Sequence, residues 1–440
     1  MKTLPIFVAG FALTATFSAL GRPPEAESSA SFAAHEWGTF TSVQGADGVQ
    51  LEWNPWVAPE LPKFVYDVRN PLGRQQKLVL PNVRIAGKTG TVSRLRMETP
   101  VIYFYSKERR TVDVDVNFPD GRVTEWYPQL ANPKAQATPA RVDGLVSTQT
   151  TMRWGGVEIL PGDDAAAGKF PKEAAGSHYY AARETDAAPL HVKAVDGSDQ
   201  YEKFLFYRGV AQFQAPLEVS HWGENAEQIR IQNHAKQPMG PYFIYSIRGN
   251  KAALVEEPVL DPGVMDDKNF RFDEIARPAD EVRQELGAKL RAALTKAGLY
   301  EKEAAAMVKT WDDSWLGEPG LRVLYVMPQK WADEVLPVKI SPAPAEMKRV
   351  FVGRAEILTN AQEWALLKET LHYAEGGALE KKAAIAAVNN IGLGRFADPA
   401  FRHLAMKLPS TREFSQASFT LLEATKPANA KKQVDLADAP

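Results

Sequence analysis

Thr111-Val112-Asp113-Val114-Asp115-Val116-Asn117-Phe118 decides the fold class of this 440-residue chain. Apolar side chains occupy every second position and polar ones lie between. That period of two describes a strand with one face in a core and one in water. Pro119-Asp120-Gly121 is turn chemistry, and Arg122 to Tyr127 returns as the hairpin partner. Just upstream, Met97 to Ser106 is apolar on both faces after Pro100, as a fully buried strand would be.

Working outward, strand-like runs recur at His35 to Val43, Gly156 to Leu160, His178 to Arg183, Leu190 to Ala194, Lys203 to Tyr207, Leu217 to Ser220, Gln228 to Gln232 and Tyr242 to Ile247. Gly, Pro, Asn and Asp break the chain between them. The pattern predicts a β-rich domain over 35–275, an antiparallel sandwich or a pair of sandwiches. From residue 278 the period changes. Val282, Leu286, Leu290 and Leu294 recur every four residues, Gly298 sits where a C-terminal cap belongs, and Ala304, Val308, Trp311 and Trp315 form a second stripe. A helical hairpin with both tryptophans in the core is expected. Leu321 to Met327 and Arg349 to Ile357 are strand-like, completing a 276–358 unit that could rejoin the sheet. Four short helices then fill 359–425, with capping boxes at Asn360/Glu363 and Ser410/Glu413 and a start at Asp398-Pro399. The class is α+β.

Residues 1–21 read as a secretory signal: Lys2, an uncharged apolar run from Leu4 to Leu20, and the small-x-small site Ala19-Leu20-Gly21. Residues 22–34 read as a polar, disordered spacer and 426–440 as a disordered tail. The expectation is a periplasmic or secreted protein with no membrane span after signal cleavage. The chain has no cysteine, so disulfides, thiol chemistry, thiolate metal sites and a lipid-anchored cysteine are excluded. A formal charge of −2 leaves no footprint for nucleic acid.

Phosphate-binding glycine loops, nucleophile elbows and zinc-protease helices are absent from the sequence. Two kinds of chemistry remain. Of seven histidines, His35, His178 and His221 lie beside aromatics at strand edges and are the candidate ligands for a divalent metal, zinc or copper. The competing reading has them bonding backbone carbonyls or stacking on Trp37, Tyr179 and Trp222. Glu36, Glu98 and Glu125 sit in apolar or aromatic contexts that would raise a carboxyl pKa toward general-acid range. Two of them roughly 5 to 9.5 Å apart would make a glycosidase pair; ordinary salt bridges to Arg94, Arg96 or Arg122 are the plainer account. His35 and Glu36 alternate across one strand, so at most one is expected to face the core. Trp53 and Trp56, flanking Asn54-Pro55 in a loop, are the candidate stacking platforms for a sugar.

The strings His35-Glu-Trp-Gly-Thr-Phe-Thr, Arg96-Met-Glu-Thr-Pro-Val-Ile-Tyr-Phe-Tyr and Gly320-Leu-Arg-Val-Leu-Tyr-Val-Met-Pro resemble those of uncharacterised exported proteins of environmental bacteria, over residues 35 to about 360. The resemblance implies export. The function expected is glycan, polymer or partner binding through the β-rich domain, with the C-terminal helices available to a protein partner. The alternative is an extracytoplasmic hydrolase using the histidines or paired carboxylates.

Overall fold

A computed structural model describes residues 32–52, 61–68, 71–72, 93–132, 140–142, 145–147, 151–173, 177–407 and 411–425. The signal, nearly all of the spacer, Trp53, Trp56, Ser410 and the tail lie outside the described residues. The structure is α+β. Its centre is a ten-stranded sheet in the order Arg277–Pro278, Lys251–Glu257, Tyr242–Arg248, Gly320–Met327, Glu346–Ile357, Phe32–Gln44, Leu95–Ser106, Leu205–Ala211, Gly121–Tyr127, Tyr66–Asp67. A five-stranded sheet contains Arg110–Asn117, and a three-stranded one contains Leu217–Trp222.

The alternating stretch behaves as its period dictates. Val112, Val114 and Val116 are buried and pack in the core between the sheets, while Asp113 and Asp115 stay partly exposed. Asp113 accepts from Gly156 N at 2.8 Å and from Arg153 at 2.7 Å, so these acids are the wet side of a strand. The hairpin helices Ala279–Lys296 and Glu301–Trp315 cover the opposite face of the large sheet. Trp311 and Trp315 stack in that core, 5.7 Å apart. Gly298 closes the first helix at φ +118°, a left-handed turn that a side chain would strain. The helices Asn360–Glu375, Ala378–Asn390, Ala397–Lys407 and Arg412–Thr425 form a third core with Val43, Leu51 and Leu358.

Four expectations change. The first strand starts at Phe32, inside the supposed spacer, and all thirteen of its residues are buried. It is central, pairing antiparallel with Leu95–Ser106 and parallel with Glu346–Ile357, so the sheet is mixed. The strand-like runs at 321–327 and 349–357 therefore stand in the middle of the sheet built from the β-rich half. His178–Arg183 is a 3₁₀ turn, because the Ser177 hydroxyl takes the Tyr179 N–H and caps it. The capping box near 360 lies one residue earlier, at Thr359 and Gln362, which frees Glu363 to bind Lys407 at 2.9 Å.

Candidate functional site

Where the first strand and Leu95–Ser106 emerge beside the start of the Glu301–Trp315 helix, they border a cleft of about 500 Å³. Tyr105 and Tyr300 meet edge to face at its floor, ring centroids 4.8 Å apart. Tyr300 is 45 % exposed. Thr185, Asp186, Lys203 and Glu346 offer hydrogen-bonding groups around them, and the lining includes two lysines (107 and 203) against three carboxylates (163, 186 and 346). Half-burial lowers the Lys203 ammonium below its usual range, opposed by Asp186; it donates to the Thr185 carbonyl at 2.8 Å.

Directly beneath the tyrosines lies His35, 1 % exposed, with its ring 4.4 Å from that of Tyr300 and 5.3 Å from that of Tyr105. Its Nδ1 is 2.8 Å from Glu303 Oε2. The same carboxylate accepts from the Tyr300 backbone N–H and from the Tyr105 hydroxyl, each at 2.8 Å. A carboxylate only accepts, so the proton of that contact sits on Nδ1. His35 Nε2 is buried and has no hydrogen-bond partner among the described residues. Burial and the Glu303 charge push the Tyr105 phenol far above its usual range, keeping it a neutral donor.

Glu36 points the other way. Its carboxylate accepts from Arg349 Nε at 2.5 Å and from the Tyr207 hydroxyl, on the side of the core between the sheets. Both His35 and Glu36 are buried, which corrects the expectation of one exposed face: helices cover one side of the strand and a second sheet covers the other. Glu98 is also buried and lies on the helix side, since its neighbour Met97 enters the inter-sheet core. It takes Arg395 Nη1 at 2.8 Å and Thr41 Oγ1 at 2.7 Å. Burial alone would raise its pKa, but Arg395, Arg96 and Arg208 outweigh that and hold it at about 2. Glu125 is part-buried and accepts from Thr124. Glu36 and Glu98 thus occupy opposite faces of one sheet, each held by arginine, and do not form a glycosidase pair.

The three histidines do not converge either. His178 faces Asp313 at 3.3 Å on the surface. His221 Nε2 reaches the Leu358 carbonyl at 3.1 Å, and burial pulls its pKa below the usual histidine value. Among the described residues, no group of three or more His, Asp and Glu could hold a metal ion. Sequence reasoning overlooked Tyr300, Glu303, Arg349 and Arg395. The one local signal was Tyr300 preceding Glu303 by three, a spacing that lets an N3 carboxylate cap the helix start.

No family model and no curated protein matches the chain. Among solved structures it is similar to the yeast delta-COP-I mu-homology domain, with TM-score 0.27 and 6% identity, over 74% of this chain and 98% of that one. It is likewise similar to that domain complexed with Dsl1 WxWxV peptide, with TM-score 0.28 and 5% identity over the same shares. At these scores the likeness carries nothing over to this chain. Among the described residues no helix is long and apolar enough to cross a membrane. The C-terminal helices expose Trp364, Leu379, Met406 and Phe419.

Proposed function

We propose that this protein binds a neutral, hydroxyl-rich ligand, a glycan segment, in the cleft floored by Tyr105 and Tyr300. The observation that carries this reading is the aromatic corner itself: an exposed Tyr300 ring braced against Tyr105 and ringed by donors and acceptors of both signs. An apolar ring face with a few placed polar groups is how small-ligand sites obtain affinity and orientation together. The near balance of lysines and carboxylates selects for no particular charge. In this reading the ligand is met outside the cytoplasm, after cleavage behind Gly21; N-terminal sequencing of the exported chain is expected to begin at Arg22. Calorimetric titration with soluble oligosaccharides is expected to show saturable binding that Tyr300→Ala abolishes with little change in melting temperature. A panel in which no glycan binds sinks the reading.

A hydrolytic reading has one observation in its favour. His35 has the oriented Nδ1 and unpartnered Nε2 of a general base. Its neighbourhood argues against that use. The hydroxyl at the end of the adjoining strand, Ser106 Oγ, donates to the Glu108 carbonyl and accepts from Arg110, and the imidazole is buried against the two tyrosine rings. Glycosidase or esterase activity that His35→Gln removes without unfolding would favour hydrolysis over simple binding.

A further inference from the structure

We propose a second site, for a small oxyanion, in the polar layer between the large sheet and the C-terminal helices. Three neighbouring strands depart from regular register along one line there. The first strand shifts between Trp37 and Thr39, and the pairings of Leu205–Ala211 shift between Phe206 and Gly209. On the strand between them, buried Thr99 adopts φ +51°. A non-glycine residue in the left-handed region is strained, and bulges re-aim side chains that regular pleating would send elsewhere. The side chains brought together here are Thr39, Arg96 and Glu98, with Arg395 descending from the 3₁₀ turn Gly394–Phe396.

Thr39 is fully buried and stands opposite Glu98 in the strand register, so both project to the same face. Its hydroxyl has no hydrogen-bond partner among the described residues, and neither does the buried Nε of Arg395. A buried polar atom left unpaired destabilises the fold. Two of them at a line of backbone strain, beside an arginine pair, mark a place that a ligand would complete. The charge points to an anion. Arg322 and Arg354 are matched by Glu356 and Glu318, whereas Arg96 and Arg395 share Glu98, with Glu318 reaching Arg395 Nε only at 3.9 Å. Arg208, in register with Glu125, adds its charge to Glu98 as well. Planar guanidinium forks suit phosphate and carboxylate oxygens. Entry lies at Arg395 and Glu318, whose side chains are 18% and 36% exposed.

The probe is inorganic phosphate, titrated at pH 7 and constant ionic strength against chloride, with calorimetry and thermal unfolding as readouts. Binding is expected to saturate and to raise the melting temperature as mass action requires. Thr39→Val, which removes only the hydroxyl, is expected to weaken phosphate roughly tenfold, and Thr39→Ser to restore it. Arg395→Gln is expected to abolish binding; should that variant fail to fold, the threonine pair still decides. Phenyl phosphate distinguishes the source: equal binding indicates a phosphomonoester end, and binding of inorganic phosphate alone indicates a free ion. A response no greater than chloride gives, or an affinity unchanged in Thr39→Val, overturns the proposal. None of the three variants lies in the lining of the tyrosine cleft, so this test fails or succeeds independently of glycan binding.

Discussion

At the scale of single residues, three long-range pairings anchor the first strand and its neighbours: His35 to Glu303, Glu36 to Arg349, and Glu98 to Arg395. The partners lie 268, 313 and 297 positions apart in the chain, which is why the sequence displayed half of each pair and could not name the other. Arginines close in sequence looked like natural partners, yet only Arg96 is among the groups that hold Glu98. Two predictions belong here. Arg349→Met leaves Glu36 buried with Tyr207 as its remaining side-chain donor among the described residues, and breaking such a pair from one side costs about 3–5 kcal/mol; urea unfolding at pH 7 measures it. Glu303→Ala strips His35, Tyr105 and the Tyr300 amide of their common acceptor. A loss of roughly 3 kcal/mol is expected from one buried and two part-buried donors left unpaired. A loss below about 1 kcal/mol would mean that the carboxylate does not fasten the hairpin to the sheet.

At the scale of elements, legibility followed periodicity. The hairpin helices and the four C-terminal helices were readable because their apolar residues recur at helical spacing, and Arg110–Asn117 because its valines alternate. His178–Arg183 misled because aromatic residues suit strands, while the deciding group was the Ser177 cap just before it. Strand order was not legible, since nothing local tells Phe32–Gln44 that it will pair with a strand from the far end of the chain. That central pairing depends on close contact. A Cβ at Gly353 would lie 2.0 Å from the Tyr325 ring, and one at Gly38 would lie 2.7 Å from Phe351. Gly353→Ala is therefore expected to cost about 1–3 kcal/mol through overpacking, read as a lowered denaturation midpoint with an unchanged slope.

At the scale of the whole molecule, the C-terminal helices are fastened by carboxylates whose protons are displaced by cations. Glu98 is held at about 2 by Arg395, Arg96 and Arg208 against the opposing effect of burial. Glu363 is held at about 2 by His403 and Lys407, again against burial. Both folded-state values lie below the ordinary 4.5, so the folded form binds these protons less readily than the unfolded one. Their stabilisation is complete above pH 4.5 and drains away as the pH falls toward 2. For the buried Glu98 this amounts to on the order of 3 kcal/mol. Acid titration is expected to loosen the 359–425 helices before the large sheet, seen as loss of amide protection there between pH 4.5 and 2; protection that fell uniformly across the chain would contradict it.

The central claim concerns the tyrosine corner at the end of the first strand. Its most direct measurement is calorimetric titration of the intact protein and of Tyr300→Ala with a panel of soluble oligosaccharides. The account predicts saturable binding by the intact chain and none by the variant, with melting temperatures within a few degrees of each other. Binding that survives Tyr300→Ala unchanged would contradict it.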